Sequence, residues 1–122
     1  MNDLEYDYEG YAIYYDVKQP DGRIVLKDAF KNCDGQTVPL VYNFYRSDGS
    51  HIPDTSLENI LGMAYLENHD DGVYARCTFY EKTKELGIEK YIKELTVFAR
   101  INTTNEQGIT NGTIKAVKVV SR

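Results

Sequence analysis

Two histidines are the side chains best suited to acid–base chemistry, because imidazole is the group whose ordinary pKa lies closest to neutrality. His51 follows Ser50 in a polar stretch, and His69 precedes the run Asp70-Asp71-Gly72. An imidazole beside two carboxylates could hold a cation, but Asp-Asp-Gly before an apolar run is also ordinary turn chemistry. The sequence therefore favours an exposed loop histidine at position 51 and a tight turn at 70–72.

Thiols and clustered carboxylates are the other groups able to do chemistry. Cys33 and Cys77 lie far apart, without Cys-x-x-Cys spacing and without a nearby histidine pair, so a zinc site is not supported. We expect two reduced, structural thiols. Glu5, Asp7 and Glu9 alternate along the N-terminal segment, which is typical of a solvated face. No metal and no cofactor is expected.

Length and charge narrow the classes of protein further. The 122 residues suit a single domain over 1–122, and no stretch approaches the ~20 apolar residues of a membrane span. The net charge of −5 argues against nucleic acid as the main partner. Residues 1–9 carry no basic region of the kind that begins a secretory signal. We therefore expect the chain in the cytoplasm of the cell that makes it.

The elements that must position these groups are mostly strands. Residues 8–17 read as a strand, followed by a turn at Pro20-Asp21-Gly22 and a second strand over 23–26. Residues 38–44 are apolar enough for an internal strand, and residues 60–68 and 73–80 flank the turn at 70–72 as the clearest hairpin in the chain. Two further strands are predicted over 96–103 and 113–120.

One segment breaks the alternation of the strands. Ile88, Tyr91, Ile92 and Leu95 fall at i, i+3, i+4 and i+7, which predicts one substantial helix over about residues 81–95. One helix among about seven strands indicates a mainly β (α+β) domain, a small β-barrel.

Tyrosines are numerous: there are eleven, and there is no tryptophan. Strict alternation in the first strand places Tyr11 and Tyr15 on one face and Tyr8 and Tyr14 on the other. Tyrosine joins an apolar ring to a hydroxyl that can stay wet, and it is enriched at interface hot spots. Tyr8, Tyr11, Tyr14 and Tyr15 are therefore a candidate interface, for self-association or for another protein; burial of the same rings in the core is the alternative.

A series of short motifs runs in a recognisable order from residue 8 to residue 120. They are Gly10-Tyr11-Ala12, Asp28-Ala29-Phe30, Val38–Phe44, Leu61-Gly62, Asp71-Gly72-Val73-Tyr74, Leu95-Thr96-Val97-Phe98 and the closing Ile114–Val120. In order and spacing they resemble the prohead (head-maturation) proteases of tailed bacteriophages. The resemblance implies the herpesvirus-assemblin type of fold, a β-barrel flanked by helices.

The same resemblance implies that the catalytic groups are lost. Where that family carries its histidine this chain has Asn43 and Phe44, and where it carries its serine this chain has Thr96. Neither Asn43 nor Phe44 can remove a proton from a hydroxyl, and an unassisted threonine is a weak nucleophile. One unorthodox pair, His51 with Thr96, stays open.

The resulting expectation is a catalytically inactive, prohead-protease-like protein of a phage or prophage with a structural role in head assembly. Its expected partners are the phage major capsid protein or further copies of itself. Its expected places are the host bacterial cytoplasm and the prohead or virion. Two alternatives remain: a divergent, active head-maturation protease of the serine/threonine type, and a β-barrel binding module outside phages.

Overall fold

A computed structural model describes residues 6–20, 22–45, 51–53 and 60–121, with the backbone alone at 43–45, 51–53 and 121. Seven strands dominate it. They are β1 (Tyr8–Tyr14), β2 (Thr37–Tyr45), β3 (His51–Pro53), β4 (Ile60–His69), β5 (Gly72–Phe79), β6 (Ile92–Thr104) and β7 (Ile109–Ser121). One short helix, α1 (Glu81–Glu85), lies between β5 and β6, and single 3-10 turns cover Lys31–Cys33 and Ile88–Tyr91.

The strands form one curled sheet in the order β1-β5-β4-β2-β7-β6, with β3 paired to the end of β2. This architecture confirms the prediction of a mainly β, barrel-like domain of about seven strands. The predicted hairpin is also confirmed, because β4 and β5 are joined by Asp70 and Asp71 and His69 pairs with Gly72. The predicted strand over 23–26 forms only isolated bridges, Lys18 with Ile24 and Val25 with Ile109.

The concave side of the sheet encloses the apolar core. Phe30, Leu40, Leu66, Val73 and Val117 are among its fully buried members. They come from elements far apart in sequence, so the core exists only when the sheet is curled around it. Burying each such side chain stabilises the fold by roughly 1.5–3 kcal/mol.

The predicted helix over 81–95 is wrong in its extent. Helix α1 ends after Glu85, and Gly87, with a φ of +65°, takes the left-handed conformation that commonly ends helices. From Ile92 onward the chain is strand β6. A β-bulge lies between Ile92 and Glu94, so Ile92 and Leu95, three residues apart, are both buried against the core. A bulged strand thus reproduces part of a helical spacing.

The two end strands of the sheet, β1 and β6, approach each other without pairing. They are in contact, yet no backbone hydrogen bond joins them within the described part of the chain. The sheet is therefore a curled half-barrel, and we call the line along which its two end strands meet the seam. Within the same residues, no helix is long and apolar enough to cross a membrane.

Candidate functional site

A cluster of aromatic and charged side chains covers the outer surface of strands β1, β5 and β4. The strand register sets Glu9 opposite Arg76 and Arg76 opposite Tyr65, and in the next row it sets Tyr11 opposite Tyr74 and Tyr74 opposite Glu67. Residues directly opposite on neighbouring strands point to the same side of a sheet. We call this surface the tyrosine face; its members are Glu9, Tyr11, Tyr14, Tyr65, Glu67, His69, Tyr74 and Arg76.

A β-bulge in β1 brings two of the tyrosines together. The bulge adds Ala12 between Tyr11 and Ile13, so the strict alternation predicted for this strand is wrong. As a result Tyr11 and Tyr14, three residues apart, stack with ring centroids 4.8 Å apart. Tyr74 meets the ring of Tyr11 edge-on at 5.1 Å.

Carboxylates hold the hydroxyl groups of two of these rings. Tyr11 donates a hydrogen bond to Asp71 over 2.7 Å, and Tyr74 donates one to Glu9 over 2.8 Å. The hydrogen bond to Asp71 raises the pKa of Tyr11 to about 12, and the one to Glu9 raises the pKa of Tyr74. The hydroxyls of Tyr11 and Tyr74 are thus held within the tyrosine face and its adjoining turn.

Arg76 is the centre of charge in the cluster. Its guanidinium bonds Glu67 at 2.9 Å and Glu9 at 3.1 Å, and it lies 5.3 Å from the centroid of the Tyr74 ring. The hydrogen bond from Arg76 lowers the pKa of Glu67. Two carboxylates and an aromatic ring thereby hold one cation in place, which fixes the side chains of three strands relative to each other.

His69 joins the two halves of the network. Its Nε2 lies 3.1 Å from Glu67, its Nδ1 lies 3.2 Å from the Tyr11 hydroxyl, and its ring stacks on Tyr74 at 5.5 Å. The predicted alternative, a cation held by His69, Asp70 and Asp71, finds no counterpart: among the described residues no three His, Cys, Asp or Glu side chains are grouped to hold a metal.

The four tyrosines of the predicted interface separate into two pairs. Tyr14 is half exposed and Tyr11 is partly buried, and both belong to the tyrosine face. Tyr8 packs partly against the core, and Tyr15 is buried in it, with its hydroxyl donated to Asn68. Burial raises the pKa of Tyr15. Core burial thus applies to Tyr8 and Tyr15. The interface stays a prediction, with Tyr11 and Tyr14 as the two rings on the outer surface.

The positions that match the protease motifs lie two strands apart in the sheet, on β2 and β6, with β7 between them. Thr96 on β6 is half-buried and pairs with Lys118 on β7, which in turn aligns with Val41 on β2. Asn43 and Phe44 follow Val41 on β2, where the structure describes the backbone but not their side chains.

The register also separates the backbones of His51 and Thr96. His51 pairs with Tyr45, four residues along β2 from Val41, a distance of about 13 Å at the rise of a strand. Since the side chain of His51 is not among those described, the His51–Thr96 pair stays a prediction.

A groove of about 950 Å³ follows the seam, and Thr96 is part of its wall. Its apolar lining includes Ala12, Leu95, Val97 and Ala99. Lys118 also lines the groove. It is half-buried, and burial lowers the pKa of its ammonium group. No hydrogen bond between Thr96 and Lys118 is formed.

The sequence analysis did not identify Glu67, Tyr74 and Arg76 of the tyrosine face, nor Lys118 of the groove. Glu67, Tyr74 and Arg76 follow from the predicted hairpin if residues are paired outward from the turn at Asp70-Asp71, so the signal was present. Lys118 gave no such signal, because its position opposite Thr96 depends on the bulges of β6 and β7.

The chain was also compared with known proteins: no protein family, no curated protein and no solved structure matches it. Its likeness to prohead proteases therefore rests on the short motifs of the sequence alone.

Proposed function

We propose that this protein acts by binding rather than by catalysis, and that the tyrosine face is where it holds a partner protein. The observation that carries the proposal is the fixing of this surface in the free protein. Carboxylates hold the hydroxyls of Tyr11 and Tyr74, and Arg76 is held by two ion pairs. Side chains that are already ordered lose little conformational entropy on binding.

The composition of the tyrosine face also suits an interface. Tyrosine and arginine are the residue types enriched at energetic hot spots, and Tyr14 and Tyr65 keep 50% and 37% of their surface exposed. The three strands beneath them form a rigid support. Such a surface is more typical of recognition than of a reaction, since it has no cleft around a nucleophile.

The partner we propose is a protein, either the phage major capsid protein or a second copy of this chain. The first follows from the resemblance to prohead proteases, which points to a structural role in head assembly. The second follows from the tyrosine face alone, because a rigid aromatic surface is able to pair with its own copy around a two-fold axis.

A substitution on the tyrosine face tests the proposal. Tyr14→Ser removes half of a stacked pair without touching the core, and we expect at least a tenfold loss of affinity, as for a hot-spot residue. Tyr80→Ser is the matched control, since Tyr80 is 49% exposed and lies outside the tyrosine face. Sedimentation velocity at several concentrations, with and without the capsid protein, measures self-association and capsid binding for the wild type and for each variant. A monomer without capsid affinity, unchanged by Tyr14→Ser, would refute the proposal.

One observation favours a second candidate, a divergent peptidase of the serine/threonine type. The structure sets Thr96 opposite Lys118, whose ammonium group has a lowered pKa and faces the same groove. A lysine with a lowered pKa is able to serve as the general base for a hydroxyl nucleophile in place of histidine. In this reading Thr96 attacks a peptide carbonyl and Lys118 takes the proton.

Incubating the purified protein alone and with the major capsid protein distinguishes the two proposed functions, binding and peptide cleavage. Cleavage detected by mass spectrometry in the wild type, and lost in both Thr96→Ala and Lys118→Met, would support the peptidase. Cleavage that survives in either variant would point to a contaminating protease, and no cleavage leaves binding as the function.

A further inference from the structure

The tyrosine face carries an excess of negative charge. Among the described residues of the face, of its adjoining turn and of the ion pair that the turn makes, four carboxylates and two cations leave a net charge of −2, with His69 counted as neutral. The carboxylates are those of Glu9, Glu67, Asp70 and Asp71, and the cations are those of Lys27 and Arg76. A surface of this sign attracts a positively charged partner.

The two cations are already engaged, whereas one carboxylate is open. Arg76 lies between two carboxylates, and the Nζ atom of Lys27 lies 3.9 Å from Asp70. Asp71 is exposed, and within the described part of the chain its side chain accepts a hydrogen bond only from the Tyr11 hydroxyl, through Oδ1. Its other oxygen, Oδ2, is therefore able to accept hydrogen bonds from a partner.

The most exposed ring of the tyrosine face lies beside this carboxylate. Tyr14 is 50% exposed and stacks on Tyr11, the residue whose hydroxyl is bonded to Asp71. In the strand register Tyr14 pairs with Gly72, which directly follows Asp71 and has no side chain. An aromatic ring attracts a cation through its negative face, and a neighbouring carboxylate adds to that attraction.

The same charge disfavours a second copy as the partner. A two-fold contact sets the same surface patch of each copy against the other. The excess carboxylates would then meet their own kind, and the cations that could offset them are held within each copy. Like charges brought together in this way weaken an interface.

We propose that the tyrosine face binds a basic surface of a different protein, with an arginine of that protein between the Tyr14 ring and the Asp71 carboxylate. Arginine suits this place because its planar guanidinium stacks on an aromatic ring and also donates two hydrogen bonds to a carboxylate. The inference rests on the proposed function, since it names the chemistry of the partner at the same surface.

Peptides of opposite charge test the sign of the partner. One heptapeptide alternates threonine with arginine, and the other alternates threonine with glutamate. In an NMR titration of the isotope-labelled full chain, the arginine peptide should bind at least about tenfold tighter and shift the amide signals of β1, β4 and β5. Raising the salt from about 20 mM to about 300 mM should weaken its binding severalfold. Equal binding of both peptides, binding of neither, or shifts confined to other strands would overturn the proposal.

Matched substitutions test the two groups that would hold the arginine. Asp71→Asn keeps a good turn residue but removes the charge, and it should weaken the arginine peptide about two- to fivefold. Glu106→Gln is its control, because Glu106 is an exposed carboxylate in the β6–β7 turn, outside the tyrosine face. Tyr14→Leu should weaken binding about two- to fivefold, whereas Tyr14→Phe keeps the ring and the affinity. Equal effects within either pair of variants would contradict the proposed arginine site.

Sedimentation velocity separates this inference from the proposed function on which it rests. We expect the wild type to stay monomeric at low salt. Self-association that is lost in Tyr14→Ser would confirm the tyrosine face as an interface but overturn the basic partner. If Tyr14→Ser changes neither self-association nor the binding of any partner, the contact at the tyrosine face is itself refuted, and this inference with it.

Discussion

Tyr11 is one residue through which the tyrosine face responds to high pH. Its hydroxyl is donated to Asp71, and the neighbouring carboxylate raises its pKa from 10.0 to about 12. A raised pKa in the folded state means that the stabilising hydrogen bond is fully present below pH 10. It is lost as the pH rises through the folded-state value, so stability should fall between about pH 10 and pH 12.

We predict that Asp71→Asn brings the pKa of Tyr11 down toward its ordinary value, because the nearby negative charge is removed. Absorbance at 295 nm follows tyrosine ionisation, and the difference between each protein and its Tyr11→Phe version isolates this residue among the eleven tyrosines. An unchanged titration in Asp71→Asn would mean that Asp71 does not hold the hydroxyl in solution.

The residues of the tyrosine face also show the limit of reading strands by alternation. Tyr11 and Tyr14 were expected on opposite faces, and the extra residue Ala12 brings them to one side. A bulge depends on the register in which two strands pair, so the sequence of one strand alone does not predict it.

At the scale of the element, the point where the 3-10 turn Ile88–Tyr91 passes into strand β6 separates an exposed residue from a buried one. Tyr91, the last residue of the turn, is 60% exposed, whereas Ile92, the first residue of β6, is 3% exposed. We predict that Ile92→Ala lowers the free energy of unfolding by about 2–5 kcal/mol because it leaves a cavity in the core. Tyr91→Ala should cost less than about 0.5 kcal/mol, as is usual at a surface position. Urea titrations of both variants measure the difference, and similar losses in the two would restore the helical reading of residues 88–95.

The sequence predicts those elements whose ends carry turn chemistry. Asp70-Asp71-Gly72 defines the β4–β5 hairpin because two short polar residues and a glycine suit a tight reversal. The segment from Glu81 to Leu95 lacks such a boundary, and its apolar spacing fits a helix and a bulged strand alike. What decides between them is tertiary: the Thr83 hydroxyl donates to the carbonyl of Leu61, which anchors α1 as a short cap, and β7 pairs with the following residues.

At the scale of the whole molecule, the reactivity of the two thiols shows whether the domain unfolds as one cooperative unit. Cys33 lies in the 3-10 turn before β2 and Cys77 on β5, and both are free and buried. Burial raises the pKa of Cys33 to about 11 and that of Cys77 to about 12, so neither forms the reactive thiolate readily at pH 8.

We predict that both thiols react with a disulfide reagent at pH 8 at least about a thousandfold more slowly in the native protein than in urea. If one global opening exposes both thiols, the rate of the remaining thiol in Cys33→Ala and in Cys77→Ala should follow the free energy of unfolding measured for that variant. Rapid reaction of either thiol in the native protein would show that its part of the core opens alone.

The single parallel ladder among the described strands has a consequence for how the chain reaches its fold. Leu40 pairs with Val117 across most of the sequence, while the β4–β5 and β6–β7 hairpins join neighbouring segments. Hairpins form in microseconds, but a contact between distant segments must first overcome the entropy of closing a long loop. We expect the hairpins to form early and the union of β2 with β7 to limit the folding rate. Until β2 and β7 pair, the edges of these two strands are open. During synthesis on the ribosome, β2 is made well before β7 and has no partner on that side. The nascent chain is therefore most exposed to aggregation in this interval.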